Sequence, residues 1–263
     1  MDAESEHGNL PRMTNNLLFT SKNVGEAFAG QALAEHFGAE VFIGPSIEMK
    51  LQELASVVYH EVPDSNYYGA TISYSSEKTY IALNTFHPLR IRYFTAAHEL
   101  WHVLGLDKIG GNIDLEKAAE RFAAALMMPE SLIRLLWGRL SKNSSVEQIV
   151  FMLADMASTP YRATAKRLLE LNLLRPSKHP DHAEEDWIAL RKKLNLPPSP
   201  LDMPLSIVQF NRYEQNIERA LESGLTDRLS AASKLTNFSP EKAAEYQSHI
   251  VQGIQNESGG TEE

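Results

Sequence analysis

Apolar positions recur along most of this chain at the three-to-four-residue spacing of amphipathic helices and alternate in only one short region. The run 21–37 (SKNVGEAFAGQALAEHF) has helical spacing, with Ser21 placed to cap it and Gly38 to stop it. Residues 1–20 before it read as a flexible lead-in. A second helical pattern, 46–56, leads into the β-branched stretch Val57–Val62. ATISYS (70–75) and TYIALN (79–84) alternate as strands do, and the polar Ser76-Glu77-Lys78 between them predicts a hairpin turn. Pro88 opens a helix that continues to about Leu104, Asp107–Asn112 with its Gly110-Gly111 reads as a loop, and a further helix covers about 114–128, ending before Pro129.

Beyond 130 the pattern is mainly helical. SLIRLLWGRL is one short helix, and SSVEQIVFMLADMA is another, with Ser145 and Gln148 at capping-box spacing. In STPYRATAKRLLELNLL, Thr159 is placed to cap and Pro160 to occupy the first helical position. Residues 175–203 are rich in proline and charge and read as a linker around a short helix at 185–194. Helices near 205–222 and 239–252 follow. The chain therefore divides into a flexible 1–20, a mixed segment 21–130, a helix-turn-helix-like segment 131–175, a helical C-terminal region 176–254 of unknown role and a disordered tail 255–263. The fold class is α+β.

Composition narrows the chemistry. The 263 residues include no cysteine, so any metal must be held by His, Asp or Glu, and a reducing, cytoplasmic compartment is expected. The N-terminus is acidic and polar, without the basic and apolar regions of a signal peptide, and no apolar run is long enough to cross a bilayer, so no membrane partner is expected. A net charge of −9 argues against nucleic acid as the main partner, since phosphate binding needs a basic footprint.

The pentad His98-Glu99-Leu100-Trp101-His102 is HExxH on the helix that Pro88 opens. Side chains four apart share a helix face, so two imidazoles there can reach one metal ion, with Glu99 beside them as a general base. The setting, RYFTAAHELWHVLGL, is apolar. Two imidazoles and a carboxylate facing such a core are costly unless a metal satisfies them.

Catalytic zinc takes three protein ligands and keeps an open position. The pattern HExxHxxGxxH fails here, because Gly105 fits but its last position is Lys108, and Asp107 is one residue out of place. Glu116 and Glu120, four apart on the next helix, remain. Glu116 is the preferred ligand and Glu120 the candidate to hydrogen-bond a ligand histidine, although spacing alone allows the two roles to be exchanged.

FTAAHELWHVLGL followed by Glu116-Lys-Ala-Ala-Glu-Arg-Phe-Ala-Ala-Ala-Leu-Met-Met-Pro129 resembles the ImmA/IrrE family of metallo-endopeptidases, whose motifs are F-x-x-A-H-E-x-x-H and E-x-x-A-N-x-F-A-x-x-L-L-M-P. The resemblance is strongest over about 66–130 and does not extend into 176–263. It implies a zincin-like metallopeptidase domain, with a small sheet and an active-site helix, followed by the helical C-terminal region. It implies one catalytic Zn2+ on His98, His102 and Glu116. The family's asparagine is Glu120 here. It also implies a protein substrate, often a helix-turn-helix transcriptional repressor whose cleavage switches on stress, phage or mobile-element genes.

The expected chemistry is peptide hydrolysis, with Glu99 moving a proton from the attacking water to the leaving amine. Strand 79–84, just before the active helix, is the candidate edge for pairing with an extended substrate. No residue stands out as a transition-state stabiliser. His60 and His87 fit loop or capping roles, and Tyr93 lies more than a turn before His98. Arg162, Lys166 and Arg167 give the helix after Thr159 a basic side, so DNA contact is open, but a helical hairpin packed on the core is favoured. Two other readings are a non-proteolytic zincin-fold protein that sequesters a regulator, which the intact Glu99 argues against, and a DNA-associated regulator using 145–171.

Overall fold

The computed structural model describes residues 10–38, 41–75, 78–176 and 179–248. The expectations for 1–9 and for the tail 255–263 lie outside them. Helix α1 spans Leu10–Ala32 and ends in a wider helical turn, Leu33–Phe37, that Gly38 terminates at φ 83°. It thus begins well inside the stretch expected to be a flexible lead-in. Ser21 sits mid-helix rather than at a cap: its hydroxyl donates to the Leu17 carbonyl at 2.8 Å and accepts the Asp114 amide at 2.8 Å. A serine hydroxyl that bonds back to the i−4 carbonyl does not end a helix.

Helix α2 (Ser46–Leu54) leads into strand β1 (Ser56–His60), and β2 (Gly69–Ser75) and β3 (Lys78–Asn84) form the expected antiparallel hairpin. The strand order is β2-β3-β1-β4, with β1 and β3 parallel. This corrects the expectation that 79–84 is the exposed edge. β3 is interior, and β2 is the edge on that side. The parallel β1–β3 pairing is a tertiary contact with no signature in the local pattern of either strand.

Helix α3 (Leu89–Val103) packs on the inner face of the sheet and against α4 (Leu115–Met127), while α1 packs along α4. They approach closely at Gly25, where a Cβ would stand 2.3 Å from the Ala118 carbonyl oxygen. The core unites Val57, Tyr59, Ile81 and Leu83 of the sheet with Ala96, Ala97, Leu100 and Trp101 of α3 and Phe122 of α4. Helices α5 (Glu130–Leu140), α6 (Val146–Ala157) and α7 (Tyr161–Glu170) extend the same core.

The Ser145–Gln148 capping box forms as expected. At α7 the sequence reading is displaced. Thr159 turns its hydroxyl to Thr164 Oγ1 at 2.9 Å, Pro160 precedes the helix, and the Glu184 carboxylate accepts the first amides of α7, from Tyr161 at 3.1 Å and Arg162 at 2.8 Å. The basic side of α7 is largely engaged within the fold. Arg167 is buried and binds Glu26 at 2.6 and 2.7 Å, and Lys166 pairs with Glu120 at 3.6 Å.

Residues 175–203 are not a loose linker. Helix α8 (Glu184–Lys193) inserts Trp187, fully buried, into the main core, and Asp202 pairs with Arg90 of α3 at 2.6 Å. Nor does a helix span 205–222. Residues 205–208 carry no regular structure, strand β4 (Gln209–Phe210) joins β1 antiparallel, and α9 begins only at Tyr213, ending at Glu222. Asn211 anchors this crossing by accepting the Val57 amide and donating to the Gln52 carbonyl at 3.1 Å. The pattern LSIVQF suits extended chain once a strand edge is there to receive it. Helix α9, α10 (Arg228–Leu235) and a helical stretch at 240–248 enclose a second, small apolar cluster of Ile217, Ala231, Ala232, Leu235, Ala243 and Tyr246. Among the described residues no helix is long and apolar enough to cross a membrane.

Candidate metal centre

The last two turns of α3 carry the pentad. Leu100 and Trp101 face inward and are fully buried, with Trp101 edge-on to Phe28 and Phe122. That anchorage fixes the helix rotation and turns His98 and His102 to the other side. Their Nε2 atoms stand 3.3 Å apart. Gly105, in the left-handed region at φ 70°, then reverses the chain and brings Asp107 back onto α3.

Asp107 makes two contacts there, accepting from Trp101 Nε1 at 3.0 Å and meeting His102 Nδ1 at 2.8 Å. A carboxylate on Nδ1 keeps the proton on that nitrogen and leaves the Nε2 lone pair free for a metal. The sequence reading had assigned this supporting role to Glu120. Glu120 instead binds Lys117 at 2.8 Å and Lys166 at 3.6 Å. Burial would raise its carboxyl pKa, but the two lysines outweigh that and hold it below the ordinary value.

Asp114 starts α4 by accepting the Lys117 amide at 3.0 Å. This puts Glu116 in the first helical turn, where the helix dipole favours an anion. Its Oε2 lies 3.5 Å from His98 Nε2, and the ligand atoms of His98, His102 and Glu116 fall within 4.8 Å of one another. Around a tetrahedral zinc with bonds near 2.05 Å, ligand atoms are spaced about 3.4 Å apart. The two separations from His98 Nε2, 3.3 and 3.5 Å, match that spacing, so His98, His102 and Glu116 are the residues that would hold such an ion.

Glu99 is 6% exposed and accepts a hydrogen bond from Thr71 Oγ1 of β2 at 2.7 Å. Above it, the loop 61–68 is tied down by Asn84, whose amide donates to the Val62 and Tyr67 carbonyls at 2.8 and 2.7 Å. The Tyr67 phenol lies in the field of Glu99: burial first, and then that negative charge, push its pKa up. His87 serves the same loop, stacked on Tyr68 at 4.5 Å and bonded to the Tyr67 carbonyl at 2.8 Å. His60 is exposed at the end of β1, and Tyr93 packs near Glu48 and Arg92. None of the three joins the metal group.

Asp107 and Thr71 are the site residues that sequence reasoning did not assign. For Asp107 a signal existed, since Gly105 marks a reversal and Asp107 is the acceptor just beyond it. For Thr71, 28 positions before Glu99, there was none.

No match was found among curated proteins. The chain does match a family model, over residues 52–168, a span that runs from the end of α2 through β1, β2 and β3, the pentad and Glu116 to α7. Residues 52–168 are thus similar to the IrrE N-terminal-like domain of peptidase family M78, which supports a metallopeptidase-type function, and within them His98, His102 and Glu116 form a group that could hold a metal ion.

Proposed function

We propose that this protein is a zinc-dependent endopeptidase in which His98, His102 and Glu116 hold the ion and Glu99 is the general base. The observation that carries the reading is the convergence of two imidazoles and a carboxylate within 4.8 Å, in a peptidase-family domain, with a buried carboxylate on the same helix. Zinc bound there would polarise the scissile carbonyl and make water nucleophilic near neutral pH. Glu99 then takes a proton from the attacking water and delivers it to the leaving amine. Asp107 keeps His102 in the tautomer and orientation that binding requires. The edge strand β2 runs beside the pentad helix and, among the described residues, has no strand on its outer side, so an extended substrate segment adds to it by main-chain pairing.

The substrate we propose is a helix-turn-helix transcriptional repressor, cut in the cytoplasm so that the genes it silences are expressed. This part is supported by the likeness of the motifs to the ImmA/IrrE family rather than by any contact in the fold. The test is incubation of the zinc-loaded protein with a repressor encoded beside it. Cleavage that a chelator stops, that zinc restores and that Glu99→Gln abolishes is the expected result. A purified protein that neither contains zinc nor binds it on titration would overturn the proposal.

A further inference from the structure

Strand β2 lies along the pentad helix with one face. Gly69 and Thr71 are on that face, and the alternate residue Ile72 is 64% exposed on the other. Strand and helix lie close together at Gly69. A Cβ there would stand 2.9 Å from Thr95 Cγ2 of α3 and 2.8 Å from the Ala82 carbonyl oxygen of β3. Glycine is required for this approach. Two residues further on, Thr71 Oγ1 reaches Glu99 Oε2 at 2.7 Å. A threonine hydroxyl is one bond from Cβ, so it reaches a helix carboxylate only where the strand lies this near. A hydroxyl donating to a carboxylate at such a distance is a strong, charge-assisted bond, and the low exposure of Glu99 keeps water from competing for it.

Glu99 has three side-chain torsions and, without this bond, several rotamers to choose from. A general base must hold its oxygen within hydrogen-bond reach of the proton that it takes. With Oε2 committed to Thr71, Oε1 is the oxygen left to accept that proton.

We propose that Thr71 is the positioning residue for the catalytic base, fixing the Glu99 carboxylate from the same strand that aligns the substrate. The inference rests on Glu99 being the base. It makes β2 a common frame: a peptide paired with the strand's outer edge and the carboxylate held by its inward side chain are registered against one another. A shift of the strand then misplaces both together.

The experiment uses the zinc-loaded full chain and a peptide hydroxamate, a chelator whose hydroxyl proton a neighbouring base takes up on binding. Affinity is read by calorimetry, with zinc content and unfolding temperature measured on each variant. Thr71→Val is expected to weaken binding roughly tenfold, whereas Thr71→Ser, which restores the hydroxyl, stays within about twofold of the parent. In a Glu99→Gln background, Thr71→Val is expected to add nothing, because it acts through the carboxylate. The inference is overturned if Thr71→Val binds as tightly as the parent. It is also overturned if that variant weakens binding equally without the Glu99 carboxylate, or if affinity is lost only in step with zinc or fold. If instead Glu99→Gln itself binds hydroxamate and cleaves protein like the parent, the general-base reading falls, and this inference with it.

Discussion

The two ends of helix α3 handle charge in opposite ways. At the N-terminal end Arg90 is 1% exposed, yet its guanidinium meets Asp202 at 2.6 Å, Asp155 at 3.0 Å, the Thr159 carbonyl at 2.7 Å and the Tyr161 hydroxyl at 2.8 Å, and lies 3.9 Å over the Tyr161 ring. Arg92 is closed in the same manner by Glu48 at 2.7 Å and the Leu205 carbonyl at 2.8 Å. At the C-terminal end two imidazoles and the Glu116 carboxylate converge, and the neighbouring cation, Lys117, is turned away to Glu120. One end completes its electrostatics from within the protein, and the other brings lone pairs and negative charge together around a space fit for a cation from outside. A buried charge with its complement in place holds elements together. Converging acceptors without one mark a binding site.

Substitutions at the two ends separate these roles. The largest effect is expected from Glu99→Gln, which lowers kcat roughly a hundred- to ten-thousandfold while leaving zinc stoichiometry and the unfolding transition as they were. A large loss of stability in that variant would mean that the C-terminal end is also architecture. Arg90→Met leaves Asp202 without its cation and Asp155 with Arg191 alone. Urea unfolding should show a loss of about 3–5 kcal/mol, with the metal content of the folded fraction unchanged. Asp107→Asn is expected to weaken zinc binding about ten- to a hundredfold in chelator competition and to cost little stability, because the amide oxygen still accepts from Trp101 Nε1 while the carboxylate on His102 Nδ1 is lost.

Acid distinguishes the two ends further. Burial would raise the Asp155 carboxyl pKa, but hydrogen bonds from Arg191 and Arg90 outweigh it and hold the value below that of an ordinary aspartate. The stabilisation is therefore complete above the ordinary aspartate pKa and disappears as the pH falls through the lowered one. Arg90→Met should flatten this acid limb in unfolding curves measured against pH. The smallest effect belongs to Glu120→Gln, a half-buried partner of two lysines, with a stability change under about 1 kcal/mol and zinc affinity equal to that of the parent. Weaker zinc binding in that variant would return Glu120 to the role that its spacing suggested.

The pentad, its helix, the hairpin and the Ser145 capping box were legible because each depends on residues a few positions apart. Glu116 was legible less directly. Spacing left it interchangeable with Glu120, and the geometry separates them, since Glu116 faces His98 while Glu120 faces Lys117 and Lys166. The misreadings share a cause. Ser21, Thr159 and the proline-rich 175–203 were judged on local chemistry, but their partners lie far along the chain: Asp114 for Ser21, and Arg90 for Asp202. Where Thr159 was expected to cap α7, Glu184 of α8 does so. A cap supplied from another helix leaves no mark in the segment that it caps. The edge strand was misplaced for the same reason, because β3 becomes interior only when β1 pairs beside it.

The sequence by itself determined which groups we propose to react. HExxH on a helix dictates that two imidazoles share a face with a carboxylate beside them, and the 3.6-residue repeat requires no distant contact to achieve it. The tertiary structure alone decided how those groups are supported and approached. It set Thr71 on Glu99, β2 at the edge of the described sheet, and residues 202–205 across the first turn of α3. Each of these depends on the separation of elements that fold together without being adjacent in the chain, and that separation is fixed by core packing, down to the missing Cβ of Gly69.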